Sequence, residues 1–453
     1  MNKFKQLWSK LHSSLWFLPS LIVAGSVVLA VILIEADSTG SDRWLAQWPR
    51  IFGAGAEGAR GMLSTIAGSM MSVVGITFSM TLVTLAMASS QYTSRILRNF
   101  MRSRVTQTVL GIFAGIFAYC LIVLRTIRGG NEVEFVPGLA VFFSVVLALG
   151  GVGVLMFFIH HIASSIQASN IIASVAQETM GTIDRLFPVN LGQGPTDEND
   201  MDQELRLLAE ANWHTIPARK SGYIQSVDNT ALLHLARNKK TIVRMERGIG
   251  EFVVQNTALA SLALEDPPDQ ETIAALQATF IISRLRTVEQ DAAFGIRQIV
   301  DIALKALSPG INDTTTAVMC VDHLTAILAR FAPRPIPSSF RYEEGELKVM
   351  TIRPTFASLL TESFDQIRSN AKDNLAIILR MLDAFQTLSS LTNNPNHRQA
   401  LREQVRLIVE LAERTIESAH DHARIDTRLT RLRETLEAEP ALCAGKRKQT
   451  EGG

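Results

Sequence analysis

Twelve serine and threonine hydroxyls crowd a single uncharged stretch of this chain. Between Gly61 and Ser94 lie Ser64, Thr65, Ser69, Ser72, Thr77, Ser79, Thr81, Thr84, Ser89, Ser90, Thr93 and Ser94, with no Asp, Glu, Lys or Arg among them. A hydroxyl both donates and accepts hydrogen bonds, so a row of them on a helix can replace part of the hydration of a passing solute. Thr77, Thr81 and Thr84 fall at i, i+4, i+7, which places them on one helix face. With Ser72 they are the candidate pore-lining residues. With no intramembrane charge, selectivity would rest on hydroxyls, carbonyls and width, and would be weak. The commoner use of such sequence is packing. Gly61, Gly68 and Gly75 recur every seven residues along one stripe, and Gly111 and Gly115 form a GxxxG pair. Small residues of this kind let two helix backbones approach closely.

A second candidate is the turn Ser308-Pro309-Gly310-Ile311-Asn312-Asp313. Pro309 and Gly310 stop one helix, and Asn312 or Asp313 can cap the next by accepting its free N–H groups. That role accounts for nearly all of the turn's polar atoms. The functional alternative is that Ser308, Asn312, Asp313 and Thr314 bind a ligand. The carboxylate of Asp313 favours a cation over an anion.

Other chemistry is poorly supported. The chain has no glycine-rich phosphate loop ending in Lys-Ser/Thr, and no HExxH, paired CxxC or GxSxG motif. Neighbouring His160 and His161 point about 100° apart on a helix, and His420 and His422 diverge as well, so neither pair makes a metal site. Cys120, Cys320 and Cys443 stand alone, as free thiols in a reducing compartment do. The expectation is no catalytic residue, no metal and no cofactor. A net charge of +1 gives no field for nucleic acid.

These residues depend on four apolar runs that must position them: Ser13–Ile34, Gly61–Ser94, Val105–Leu124 and Phe135–Ile159. Each reaches the roughly 20 residues a helix needs to cross about 30 Å of hydrocarbon. The second, as one helix, would be about 51 Å long. Lys3, Lys5 and Lys10 precede the first run without an acid. Arg95, Arg98, Arg102 and Arg104 join the second to the third, again without an acid, whereas the other two connections mix signs. That alternation places both termini in the cytoplasm. The first run has the basic start and apolar core of a signal peptide, but no clean small-x-small pattern precedes Glu35, and Trp16, Trp44 and Trp48 suit interfacial anchors.

The expected fold class is a mainly α membrane protein: four transmembrane helices, then a mixed α+β cytoplasmic domain with a small β subdomain and a helical bundle. The expected order is a tail at 1–12 and a membrane domain at 13–160, with spans near 14–34, 64–90, 105–125 and 135–159. A helical extension of the fourth span follows at 161–188, a Gly, Pro and acid-rich linker at 189–212, and a β-rich subdomain at 213–266. Helices occupy 269–436 and a polar tail 437–453. Within the β subdomain, Thr241–Arg247 and Glu251–Gln255 flank Gly248-Ile249-Gly250 as a hairpin would. No lysine stands at the tip, so a biotin or lipoyl carrier is not implied.

In this order, four spans, SGYIQSVD, GEFVVQNTAL, EQDAAFGIRQIVDIALKALSPGINDTTTA and FDQIRSNAKDN resemble a bacterial membrane family catalogued as domain of unknown function 2254. The resemblance covers roughly residues 10–420. The family usually has Pro after the Asn-Asp of the turn, where Thr314 stands here. The resemblance implies an inner-membrane location and this domain order, and it supplies no reaction. Two functions are therefore expected. One is an oligomeric channel or transport-related protein with the second span lining the path. The other is a scaffold or sensor whose cytoplasmic domain binds a protein or small ligand. The bilayer and a second copy of the chain are the partners implied.

Overall fold

The computed structural model describes residues 16–38, 55–91, 104–128, 135–187, 211–334, 339–343 and 345–437. The expected N-terminal tail, the Arg-rich connection at 95–103, most of the linker at 189–212 and the terminal segment from 438 lie outside the described residues. So do Trp44, Trp48 and Cys443. Two units divide after Asn170.

The N-terminal unit holds four helices long and apolar enough to cross a membrane. They are α1 (Phe17–Ser38), α2 (Ala56–Gln91), α3 (Arg104–Thr126) and α4 (Gly138–Ser165). Helix α3 is central: half of its most apolar window is buried, against 6% for α1 and 17% each for α2 and α4. Phe113, Ile116, Tyr119, Cys120 and Val123 of α3 meet Leu63 of α2 and Ala140 and Phe158 of α4 in one core. The Tyr119 hydroxyl, fully buried, donates to the Ala140 carbonyl at 2.8 Å. Without that acceptor a phenol would be costly in apolar surroundings. The expected extension of the fourth span is two helices. Helix α4 ends at Ser165, and α5 (Ala168–Leu186) begins after Ile166–Gln167.

The C-terminal unit combines two sheets with a helical layer. In chain order its elements are α5 from Ile171 onward, β1 (Trp213–Pro217), β2 (Gly222–Val227), α6 (Asn229–Asn238), β3 (Val243–Met245), β4 (Phe252–Val253), β5 (Ala258–Ala263), α7 (Gln270–Ala278) and β6 (Phe280–Ser283). There follow α8 (Ala292–Ala306), α9 (Thr314–Phe331), β7 (Phe340–Glu343), β8 (Glu346–Met350), α10 (Phe356–Asn370), α11 (Leu375–Ser390), α12 (Pro395–Thr415) and α13 (Ala419–Glu437). One sheet has the order β1-β5-β3-β8-β7, with β3 and β8 parallel, and the other the order β4-β2-β6. Helices α6 to α12 each start from an Asp, Asn or Thr whose side chain accepts a first-turn N–H: Asp228, Asp269, Asp291, Asp313, Thr355, Asn374 and Asn394. These caps fix where each helix begins.

Two expectations change. The hairpin across Gly248-Ile249-Gly250 does not form, because β3 pairs with β5 and β8 whereas β4 pairs with β2. The turn instead carries the chain from one sheet to the other. Gly250 has φ +88°, and its N–H donates to the Ile224 carbonyl at 2.8 Å. A Cβ there would sit 2.3 Å from the Asp291 carboxylate. The region expected to be helical from 269 also contains β6, β7 and β8. Phe280 and Ile282 are buried and Ile281 exposed, an alternation of period two in FIIS that the surrounding helical pattern conceals.

Candidate functional site

The hydroxyls of α2 are split between two faces. Thr77 and Thr84 are 1% and 5% exposed and belong to the interior of the unit, with Thr81 half-buried beside them, while Ser72 is exposed. Each hydroxyl donates to a carbonyl of its own helix: Ser72 to Gly68, Thr77 to Val74, Thr81 to Thr77 and Thr84 to Met80, at 2.7–3.0 Å. The donors are thus satisfied locally, and only acceptor lone pairs remain for other partners.

The outward face of α2 carries small and hydroxyl residues at alternating spacings of four and three. Gly61, Thr65, Gly68, Ser72, Gly75 and Ser79 are all exposed. A Cβ added at Gly61, Gly68 or Gly75 would meet nothing within 4 Å. Among the described residues these glycines pack against no other helix. Gly111 and Gly115 of α3 are the opposite case. A Cβ at Gly111 would come within 2.8 Å of Ile22 Cδ1, and one at Gly115 would clash with the Ser26 hydroxyl of α1. Gly151 of α4 faces Ile116, Met70 and Phe113.

Two charged residues at helix ends hold one end of this bundle. The Asp37 carboxylate, buried, accepts the N–H groups of Leu139 and Ala140 at the start of α4, and Arg60 donates to the Ile127 carbonyl just past α3. Opposite charges thus meet opposite helix ends. No periodicity signals such pairings.

In the turn at Ser308–Asp313, Asn312 has φ +49°, and the backbone folds back with Asn312 N–H on Ser308 O and Asp313 N–H on Ala306 O. Asp313 accepts from the Thr316 N–H at 3.0 Å and from its hydroxyl at 2.6 Å. These bonds hold its carboxyl below the usual range. The Ser308 hydroxyl donates to Lys305 O. The Thr314 hydroxyl accepts from Asn374, the cap of α11, at 2.9 Å. The side chains of Ser308, Asp313 and Thr314 thereby hold the ends of α8, α9 and α11 together, and Asn312 contributes its backbone N–H. Among the described residues no cluster of three or more His, Cys, Asp or Glu could hold a metal ion. The Nε2 of His422 contacts the Ile416 carbonyl, and His161 stacks on Phe157.

Helix α5 carries further residues that sequence reasoning did not select. The Asp184 carboxylate takes two bonds from Arg330, at 2.9 and 2.8 Å, and one from Arg334, which also donates to the Ile183 and Phe187 carbonyls. The Arg330 hydrogen bond, with Arg334 behind it, lowers Asp184 to about 2. Phe187 meets Phe331 edge-on at 4.7 Å. Gly295 of α8 lies so close to α5 that a Cβ on it would be 2.0 Å from Thr179 Oγ1.

Four membrane-length apolar helices ahead of a large α+β unit define a predicted membrane protein. The chain belongs to the family described as Predicted membrane protein (DUF2254), whose model matches residues 12–387. It is similar to Uncharacterized protein Rv1290c of Mycobacterium tuberculosis and Uncharacterized protein Mb1321c of Mycobacterium bovis. Each is 31% identical over 450 residues, covering 96% of this chain and 83% of the relative. No solved structure matches.

Proposed function

We propose that this protein is an oligomeric inner-membrane protein, with both termini cytoplasmic, whose copies meet along the outward stripe of α2 and enclose a narrow, weakly selective path there. The observation that carries the reading is that stripe: three glycines and three hydroxyls on the side of α2 turned away from its own bundle, where lipid tails would offer the hydroxyls nothing. The residues lining the path are then Thr65, Ser72 and Ser79, whereas Thr77 and Thr84 support the bundle from within. The acid-free basic stretches around Lys3–Lys10 and Arg95–Arg104 support the orientation. The reading assigns no catalysis and no cofactor to the chain.

A scaffold or sensor is the second reading, favoured by the size of the C-terminal unit and by glycines at a spacing that suits dry helix contact. Cysteine chemistry separates the two. With Cys120, Cys320 and Cys443 replaced, Ser72→Cys and Ser79→Cys should react with a membrane-impermeant thiol reagent in bilayers, while Thr77→Cys and the exposed apolar control Leu149→Cys should not. If Ser72→Cys instead cross-links between copies but resists the reagent, the stripe is a dry contact and the channel reading falls.

A further inference from the structure

We propose that the outer face of the three-stranded sheet β4-β2-β6 is a bilayer-surface contact that rests on anionic phospholipid headgroups. The inner face of this sheet is core: Ile224, Val253, Phe280 and Ile282 are buried. The outer face is also apolar. Phe252, Val254, Ile281 and Leu285 are 45–58% exposed, and among the described residues they are four of the six large hydrophobic side chains exposed in the C-terminal unit. They lie together. Tyr223 of β2 pairs with Phe252 on one side and Ser283 on the other, and its ring meets Phe252 edge-on at 5.1 Å. The Gln225 side chain donates to the Leu285 carbonyl and so ties Leu285 to β2. A patch of this kind marks an interaction surface.

The rim identifies the partner. Arg219 and Lys220 are exposed in the turn before β2, which the bonds Gln255 N–H to Ser221 Oγ and Asn256 N–H to Ala218 O hold beside Val254. Arg284 stands exposed next to Leu285. Among the described residues no carboxylate pairs with any of these three cations, whereas the nearby Glu251 is engaged by Arg247 and the Gly248 N–H. Apolar side chains ringed by unpaired Lys and Arg match an anionic membrane surface, with the aromatic and aliphatic groups entering the headgroup–acyl boundary and the cations staying among the phosphates. A twofold contact between copies fits less well, because it would set the same cations against one another. The four membrane-length helices keep this unit tethered near a bilayer, so a weak contact is enough.

The test uses the full chain, one copy per nanodisc, in phosphatidylcholine with or without phosphatidylglycerol. With the three native cysteines replaced, a nitroxide at Leu285→Cys should be several-fold less accessible to a water-soluble nickel chelate than one at Glu413→Cys, and more accessible to oxygen. The difference should disappear in pure phosphatidylcholine and in the triple variant Arg219→Gln, Lys220→Gln, Arg284→Gln. The unmodified chain supplies a label-free reading: amide hydrogen exchange in 251–256 and 280–286 should slow when phosphatidylglycerol is present. A label as nickel-accessible as the control, or exchange indifferent to lipid charge, overturns the proposal. Protection that arises only with two copies per disc assigns the face to a second copy instead. Because the discs hold single copies, this result is independent of whether α2 forms a path in an oligomer.

Discussion

The Asp37 carboxylate, at the end of α1, accepts the backbone N–H of Leu139, 3.1 Å away at the start of α4. The first apolar helix thus caps the fourth, about a hundred residues later, and also takes the next N–H, that of Ala140. Free N–H groups at a helix start need an acceptor, and in apolar surroundings no water replaces a lost one. Asp37→Ala should therefore cost about 0.5–2 kcal/mol, the usual range for a lost cap, and Asp37→Asn should recover most of it. Thermal unfolding in detergent checks this. An unchanged transition for the alanine variant would show that α4 does not need this cap.

Two glycines give opposite expectations on either side of one helix contact. Gly295→Ala drives a methyl into Thr179 and should destabilise the C-terminal unit by about 1–3 kcal/mol, the cost of overpacking. Gly181, within α5, has nothing within 4 Å of its added Cβ. Gly181→Ala should be neutral or stabilising by up to about 1 kcal/mol through helix propensity. Denaturant midpoints of the two variants settle the contrast.

Acid should loosen the attachment of α5. Asp184 titrates near 2 in the folded chain, below the roughly 3.9 of an unfolded aspartate. A depressed carboxyl contributes stability that is fully present above the unfolded value and is lost as pH falls from about 4 towards 2. The wild type should thus lose more stability between pH 5 and pH 3 than Asp184→Asn does. Parallel losses would assign acid sensitivity to other groups.

At Asp313 the bonds from Thr316 lower the carboxyl too, so its contribution also fades on acidification. Asp313→Ala should cost about 0.5–2 kcal/mol, whereas Asp313→Asn keeps an acceptor for the Thr316 N–H. If Asp313→Asn abolishes a measured transport or binding activity while stability holds, the turn is more than a junction.

Much of this molecule was legible because long apolar runs and capping residues act locally. The four membrane-length helices follow from uncharged stretches alone, and Pro309 and Gly310 narrow the cap of α9 to Asn312 or Asp313, of which Asp313 takes the role. What stayed hidden depends on partners distant in sequence. Strand β6 is four residues between two helical patterns, and β3 is three residues whose neighbours are β5 and β8. The hydroxyls of α2 were visible as a group, but their division into an inner set at Thr77 and Thr84 and an outer set at Thr65, Ser72 and Ser79 needs the position of α3. Asp37 and Arg60 could be counted as charges in a connection. Their roles at the ends of α4 and α3 could not be read without the bundle.

The parallel pairing of Val243 with Val349 has a consequence for the order of assembly. During synthesis β3 emerges about a hundred residues before β8, and contacts so distant in sequence form slowly. In that interval β3 is an open strand edge, a place where a second unfinished copy could pair wrongly. Strand β3 is only three residues long and carries Arg244 at its middle. Brevity and charge are the features by which an open edge resists such pairing.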